Sequence, residues 1–179
     1  MQSPFWNVQQ APVVPADINV PKTIPETASV TSRLMEVLDS NSHGNVHGGV
    51  IMRMVDESAA IVAIKHSRRP VVTKRIDQFT FIAPAYIGDV VHIHCRMNYV
   101  GRTSMEVGVE VLAESLGTGE IRQICSSQVV FVALDENRRP TPVPPLKATT
   151  PEEQNQIEKA RARRERILQI EQELETEFH

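Results

Sequence analysis

One short stretch, Asn45-Val-His-Gly-Gly-Val50, sets an amide, an imidazole and two adjacent glycines just ahead of a helical pattern that carries a carboxylate, Asp56. Glycines leave backbone N–H groups uncovered, and at a helix start these groups lie at the positive end of the dipole, so Gly48 and Gly49 could bind an oxyanion. A tight turn feeding the helix accounts for the same pair. Asn45 could hold a carbonyl or an attacking water, although Asn in a turn is ordinary. Asp56 lies four residues after Met52 and four before Ala60, on the face defined by Ser58, Ala59, Ala60 and Ala63. A carboxylate on such a face is expected to be desolvated and its pKa raised toward general-base use, while Glu57 points away. The alternative for Asp56 is an ordinary acid on a helix surface.

Other chemistries have less support. His43 and His47 are four apart and His92 and His94 share a strand face, but no cysteine or carboxylate cluster joins them, so no metal site is expected. Dinucleotide, P-loop and serine-hydrolase fingerprints do not occur. Cys95 and Cys125 fall in alternating runs without a CxxC pair and read as core thiols of a reducing compartment.

The elements that must position these groups follow from periodicity. Between Gly48 and His66 the apolar residues Ile51, Met54, Val55, Ala59, Val62 and Ala63 recur at three and four, which predicts a long helix. Its small residues would let a sheet wrap it closely. A strand is expected over 28–38, ended by the turn cluster 39–44. Further strands are expected over 71–82, 90–99, 105–111 and 121–134, with a turn at Leu116-Gly-Thr-Gly119. This order describes an α+β fold with helices on one face of a curled antiparallel sheet.

The flanks differ in composition. The first 25 residues hold five prolines and read as an arm, residues 1–27, that could dock on a neighbour through Phe5 and Trp6. The domain is bounded at 28–145, where Pro140, Pro142, Pro144 and Pro145 end it. In the extension 146–179, residues 151–179 carry 13 charged side chains, with Ile157, Ile167, Leu168, Leu174 and Phe178 spaced helically. That spacing predicts a solvated amphipathic helix packed locally, because Arg164 and Glu171 interrupt a coiled-coil stripe.

A length of 179 residues with 41% hydrophobic content allows one well-buried domain. A formal charge of -3 and 4% aromatic residues argue against nucleic acid or an anionic membrane as partner. No run reaches the ~18 apolar residues that span a bilayer, and the N-terminus lacks a leader pattern, so a cytoplasmic location is expected.

The segments Gly44-Asn-Val-His-Gly-Gly-Val-Ile-Met-Arg-Met-Val-Asp-Glu57, Val71-Val-Thr-Lys-Arg-Ile-Asp-Gln-Phe-Thr-Phe81 and Gly101-Arg-Thr-Ser-Met-Glu-Val107 together resemble the hotdog-fold acyl-coenzyme A thioesterases. The likeness is to the cytosolic brain-type hydrolases and their single-domain bacterial relatives, over residues 28 to 165. It implies a long helix wrapped by a curved antiparallel sheet, hotdogs paired edge to edge, and a homohexamer made of three pairs. It implies hydrolysis of an acyl-CoA thioester to free acid and coenzyme A, with coenzyme A as part of the substrate and no other cofactor. By resemblance Asp56 is the general base or nucleophile, Asn45 the amide, and the Gly48 and Gly49 backbone the oxyanion donors, with Asn45 of one chain facing Asp56 of its partner. The two-domain animal enzymes divide these two groups between domains, whereas this chain carries both, which implies two equivalent sites per dimer. Arg102, Thr103 and Ser104 match a segment near the coenzyme A nucleotide, although a hairpin turn with an exposed Arg reads the same way. Asp77 and Phe79 match a strand near the site, and Asp77 could equally be a partner for Lys or Arg. The alternatives are a non-catalytic acyl-CoA-binding hotdog and a hotdog acyl-thioester dehydratase, whose H-F-P-type signature is missing.

Overall fold

The computed structural model describes residue 14 and residues 16–177. The proposed docking of Phe5 and Trp6, and the stripe residue Phe178, lie outside these residues. In chain order the elements are β1 (Lys22–Thr23), α1 (Ile24–Thr27), β2 (Ser29–Leu34), a 3-10 turn (Val37–Asp39), α2 (Gly48–Ser67), β3 (Val71–Phe81), β4 (Asp89–Val100), β5 (Ser104–Ser115), β6 (Ile121–Ala133), β7 (Leu146–Lys147) and α3 (Pro151–Glu177).

Five strands form one antiparallel sheet in the order β2-β4-β5-β6-β3, so β2 and β3 are its edges. Period-two alternation sends Val91, Ile93, Cys95 and Met97 of β4 inward, together with Met105, Val107, Val109, Val111 and Ala113 of β5. They meet Ile51, Val55, Ala59, Val62 and Ala63 of α2, all buried. At 20 residues α2 is about 30 Å long, and its small side chains let the curved sheet close around it, as the sequence predicts. His47 caps its start by accepting the Gly49 N–H, and Arg68 ends it in the left-handed region at φ 51°.

The first long strand stops at Leu34, earlier than periodicity alone indicates. Arg33 donates twice to the buried Asp39 carboxylate (2.7 and 2.9 Å), which also accepts the Glu36 N–H at 2.9 Å, and this folds 35–39 back into a turn. Two short elements carry no sequence signature. Lys22–Thr23 pairs in parallel with Leu146–Lys147, and Ile24 and Thr27 are buried, so the end of the proline-rich stretch packs onto the domain.

The C-terminal helix is more than a solvated amphipath. With its amide oriented toward Arg96 on β4, Gln156 accepts from both guanidinium nitrogens at 3.1 Å. Arg163 pairs with the buried Glu106 on β5, and Glu171 accepts from Arg75 on β3 at 2.7 Å. These outward-facing partners lie on three strands, so α3 crosses the sheet on the side opposite α2. Ile157 and Ala160 are buried beneath it, whereas Leu168 and Ile170 are exposed and the Leu174 side chain is outside the described residues. Gly108 has a structural reason here: a Cβ would lie 2.5–2.9 Å from the Asn98 amide, which reaches across it to Glu106. Arg163→Ala would strand a buried carboxylate with only Asn98, and a loss of about 3 kcal/mol is expected in denaturant unfolding.

His66 ties the far end of α2 to the exit segment. It is fully buried, its Nε2 donates to the Pro144 carbonyl at 2.8 Å, and its Nδ1 has no partner among the described residues. Burial pulls its pKa below the ordinary 6.5, against the opposing pull of the Pro144 bond. The unfolded chain therefore takes up a proton that the folded one resists. Stability is retained above the unfolded value and falls as pH drops through it. Thermal melts between about pH 7.5 and 5.5 are expected to show a fall in Tm that His66→Gln, with no proton to gain, reduces.

Candidate active site

The N-terminus of α2 meets the end of β3. The Phe81 ring lies against Gly48, where an added Cβ would stand 3.2 Å from its Cζ, so only glycine admits that approach without displacing the ring. Gly49 donates its N–H to His47 Nδ1 at 2.9 Å, while the Gly48 N–H makes no hydrogen bond among the described residues. Of the two backbone donors expected for an oxyanion, Gly48 is therefore the free one.

The loop before α2 is held on several sides. Val46 N–H donates to the Ala85 carbonyl (2.9 Å), His47 N–H to the Asp39 carbonyl (2.8 Å) and Asn41 N–H to the Asn45 carbonyl (2.7 Å). Asn41 Oδ1 accepts from the N–H of His43 at 2.8 Å and of Asn45 at 3.2 Å. With its oxygen so occupied, the Asn41 Nδ2 is the end left to donate. Asn41, Asn45 and Gly48 line, together with apolar side chains, a depression of about 320 Å³.

Asp56 sits at the flank of α2, half-buried rather than enclosed on the small-residue face that the sequence suggests. Ser58, Ala59 and Ala63 face the sheet centre, and Asp56, rotated from them, meets its edge. There it accepts a hydrogen bond from the Thr73 hydroxyl on β3 at 2.6 Å. Glu57 points away and pairs with Arg53 on the exposed face, as expected.

Within one chain the amide and the carboxylate do not meet. Gly48 and Asp56 are eight residues apart on one helix, about 12 Å along its axis. Both groups nevertheless lie against β3: Gly48 beside Phe81 at one end, Asp56 on Thr73 at the other.

Arg102 is exposed in the β4–β5 turn and Thr103 is half-buried, but Ser104 is 8% exposed and built into β5, so it presents little to a ligand. Ser104 pairs with Val132, and Val132 with Val72, which sets this turn two strands, about 10 Å, from the Thr73 end of β3. Arg102 and Arg161 share the lining of a depression of about 390 Å³ there. Asp77 is bound by Arg75 at 2.8 Å, the ion-pair reading of that residue, and Phe79 packs on the core and on Phe81.

His92 bridges Ser32 and Glu114, and no three His, Cys, Asp or Glu side chains among the described residues group as metal ligands. Both cysteines are free and buried, and burial raises the Cys95 thiol to about 12 and Cys125 to about 11, so neither is a thiolate nucleophile near neutrality. No described helix is long and apolar enough to cross a membrane.

A long helix wrapped by a five-stranded antiparallel sheet, with polar groups gathered along one edge strand, is the hotdog architecture. The chain belongs to the thioesterase superfamily, whose family model matches residues 43–120, and within it to the acyl-CoA thioester hydrolases. An uncharacterised acyl-CoA thioester hydrolase of Bacillus subtilis is 42% identical over 123 residues, 69% of this chain and 71% of that one. A crystal structure of a hexameric acyl-CoA thioesterase superposes with a TM-score of 0.77 at 36% identity, covering 83% of this chain and 94% of that one. The acyl-CoA hydrolase of Staphylococcus aureus, solved with butyryl coenzyme A and coenzyme A, superposes at 0.78 with 30% identity, covering 89% and 98%.

Three further structures of the S. aureus enzyme carry an alanine in place of an Asn, an Asp and a Thr. In that protein the Asp follows the Asn by fifteen residues and the Thr follows the Asp by seventeen. Asn41, Asp56 and Thr73 stand at the same spacing here, whereas Asn45 is eleven residues before Asp56. Neither Asn41 nor Thr73 is among the residues that the sequence singles out. Asn41 lies in a cluster of turn residues that accounts for an Asn without any site, and a hydroxyl in an alternating strand says nothing of a carboxylate on a helix.

Proposed function

We propose that the protein hydrolyses acyl-CoA thioesters to free acid and coenzyme A at composite sites, each built by two chains. The observation that carries this reading is that the carboxylate and the amide groups flank opposite ends of one unpaired edge strand. An exposed edge of eleven residues is a template for pairing, and antiparallel two-fold pairing centred near Asp77 sets Thr73 opposite the partner's Phe81. Asp56 would then face Asn41, Asn45 and Gly48 across the pair, which gives two equivalent sites. Three such pairs would make a hexamer, the state named for the similar thioesterase.

In this arrangement the thioester oxygen accepts from the Gly48 N–H at the positive end of α2 and from Asn41 Nδ2, with Asn45 on the same rim. Thr73 holds one oxygen of Asp56, so the other takes the proton of an attacking water. Water oxygen bonds to the carbonyl carbon, and the tetrahedral oxyanion collapses by breaking the C–S bond. The proton held on Asp56 then passes to the departing coenzyme A sulfur. Arg102 and Thr103, with Arg161 beside them, would meet the nucleotide phosphates. No metal or redox cofactor takes part, coenzyme A being substrate and product.

Residues 28–145 form the catalytic domain in this reading, and the 146–179 extension braces the outer sheet face. The two free thiols are consistent with a cytosolic location. Thiol release from acyl-CoAs tests the function directly. Turnover is expected, and tight binding without thiol release would favour the non-catalytic module instead.

A further inference from the structure

The charges of α3 are segregated along its length. From Lys159 to Arg166 it carries five cations and one acid, Glu165, whereas its last seven residues hold Glu171, Glu173, Glu175 and Glu177 and no cation. Four carboxylates at the negative end of a helix dipole oppose it, so that end calls for cations from another element. Arg75 on β3 supplies one, to Glu171. The path of α3 leads to another source. Gln156 stands over β4, Arg163 over β5 and Glu171 over β3, so the helix runs toward the β3 edge. It arrives there at Arg75, two residues from Asp77, the centre of the proposed edge pairing. Six further helical residues advance about 9 Å, roughly two strand spacings, which carries the helix past the edge.

The two flanks of α3 differ as well. Arg161 faces the β4–β5 turn, where it lines a depression with Arg102, and Leu168, seven residues on, lies on the same flank. Ile170 is turned about 160° from Leu168, toward the Asp77 row of the sheet, and is 48% exposed. We propose that the two α3 helices of a pair pass antiparallel beside each other across the two-fold axis, with Ile170 against Ile170 of the partner subunit and the acidic end of each helix along the cationic stretch of the other. The proposal rests on the edge-to-edge pairing of β3 given above. A side chain beside a two-fold axis meets its own copy, which makes the contact self-complementary. Antiparallel passage centred on Ile170 brings Arg166 to the acidic end of the other helix, and on its own helix Arg166 has no acid three or four positions away. Beyond the axis the helix end lies over the partner's β6. On each chain the Gln128 Oε1 of that strand is buried without a hydrogen-bond partner among the described residues, at an open depression of the outer sheet face.

The test is disulfide cross-linking of the full chain, whose two native cysteines are both buried. Ile170→Cys and Leu168→Cys each replace an exposed side chain, so both variants should fold. A disulfide needs Cα atoms within about 7 Å, so a link reports direct contact. Under mild oxidation Ile170→Cys is expected to shift to the two-chain band on a non-reducing gel, whereas wild type and Leu168→Cys stay at one chain. Adding Arg166→Glu should slow the link at position 170 at low ionic strength, and high salt should erase that difference. If light scattering shows the chain paired and Ile170→Cys stays unlinked, the proposal is overturned and the hydrolase reading stands. Equal linking at 168 and 170, or linking that Arg166→Glu leaves unchanged at low salt, overturns it too. A monomer that releases thiol from acyl-CoA overturns the composite site and this contact with it.

Discussion

Asp56→Ala is expected to lower kcat/KM for acyl-CoA hydrolysis by about 10² to 10⁴, the range that follows loss of a general base. Its effect on folding should be small. The carboxylate is half-buried and the Thr73 hydroxyl is its one hydrogen-bond partner among the described residues, so stability should change by less than about 1 kcal/mol. Asp56→Asn sharpens the result, because an amide oxygen can still accept from Thr73 but cannot take a proton from water. Both variants should retain the wild-type oligomer and melting behaviour while thiol release is nearly abolished. A loss below about tenfold in either would remove Asp56 from the role of base.

The second large effect is a gain. Asn41→Ala deletes a donor to the developing oxyanion and should cost about 10² to 10³ in kcat, so each single variant, Asn41→Ala and Asp56→Ala, is nearly inactive alone. If a site takes Asn41 from one chain and Asp56 from the other, a mixed pair contains one intact site and one doubly damaged site. Dissociating and reassembling equal amounts should therefore restore about a quarter of wild-type activity, since half the pairs are mixed and half their sites are whole. Mixtures as inactive as their parents would place the whole site within one chain. The wild-type geometry argues against that, because about 12 Å of helix separates Gly48 from Asp56.

These expectations draw on two kinds of information. Local periodicity is enough for the core of the fold: apolar residues at three and four over 48–66 require a helix with one buried face, and strict alternation over 90–99 requires a strand with one wet face. The small residues of α2 imply the close wrapping that the structure contains. Asp56, Gly48 and the Arg102 turn stand out as candidates, because a carboxylate near small residues, a glycine before a helix and an arginine in a hairpin are unusual or exposed in their own neighbourhoods.

The remaining features depend on residues brought together from far along the chain, and no local period encodes those meetings. Glu106 and Arg163 are 57 positions apart and Arg75 and Glu171 are 96, yet these pairs turn a charged C-terminal helix into a brace across the sheet. Asn41 reads as a turn residue until its oxygen is seen held by two backbone donors and its nitrogen left at the depression. Thr73 reads as one more alternating strand residue until α2 sets Asp56 against it. The helix, the strands, the aliphatic core and the acid on the helix are readable from the chain alone, since each follows from the spacing of neighbours. Folding alone sets Asn41 and Gly48 on one depression, the Thr73 hydroxyl on Asp56, and both groups of the proposed site along β3, an edge strand among the described residues. Hydrogen bonds and packing contacts depend on distance in space, and folding sets that distance independently of separation along the chain.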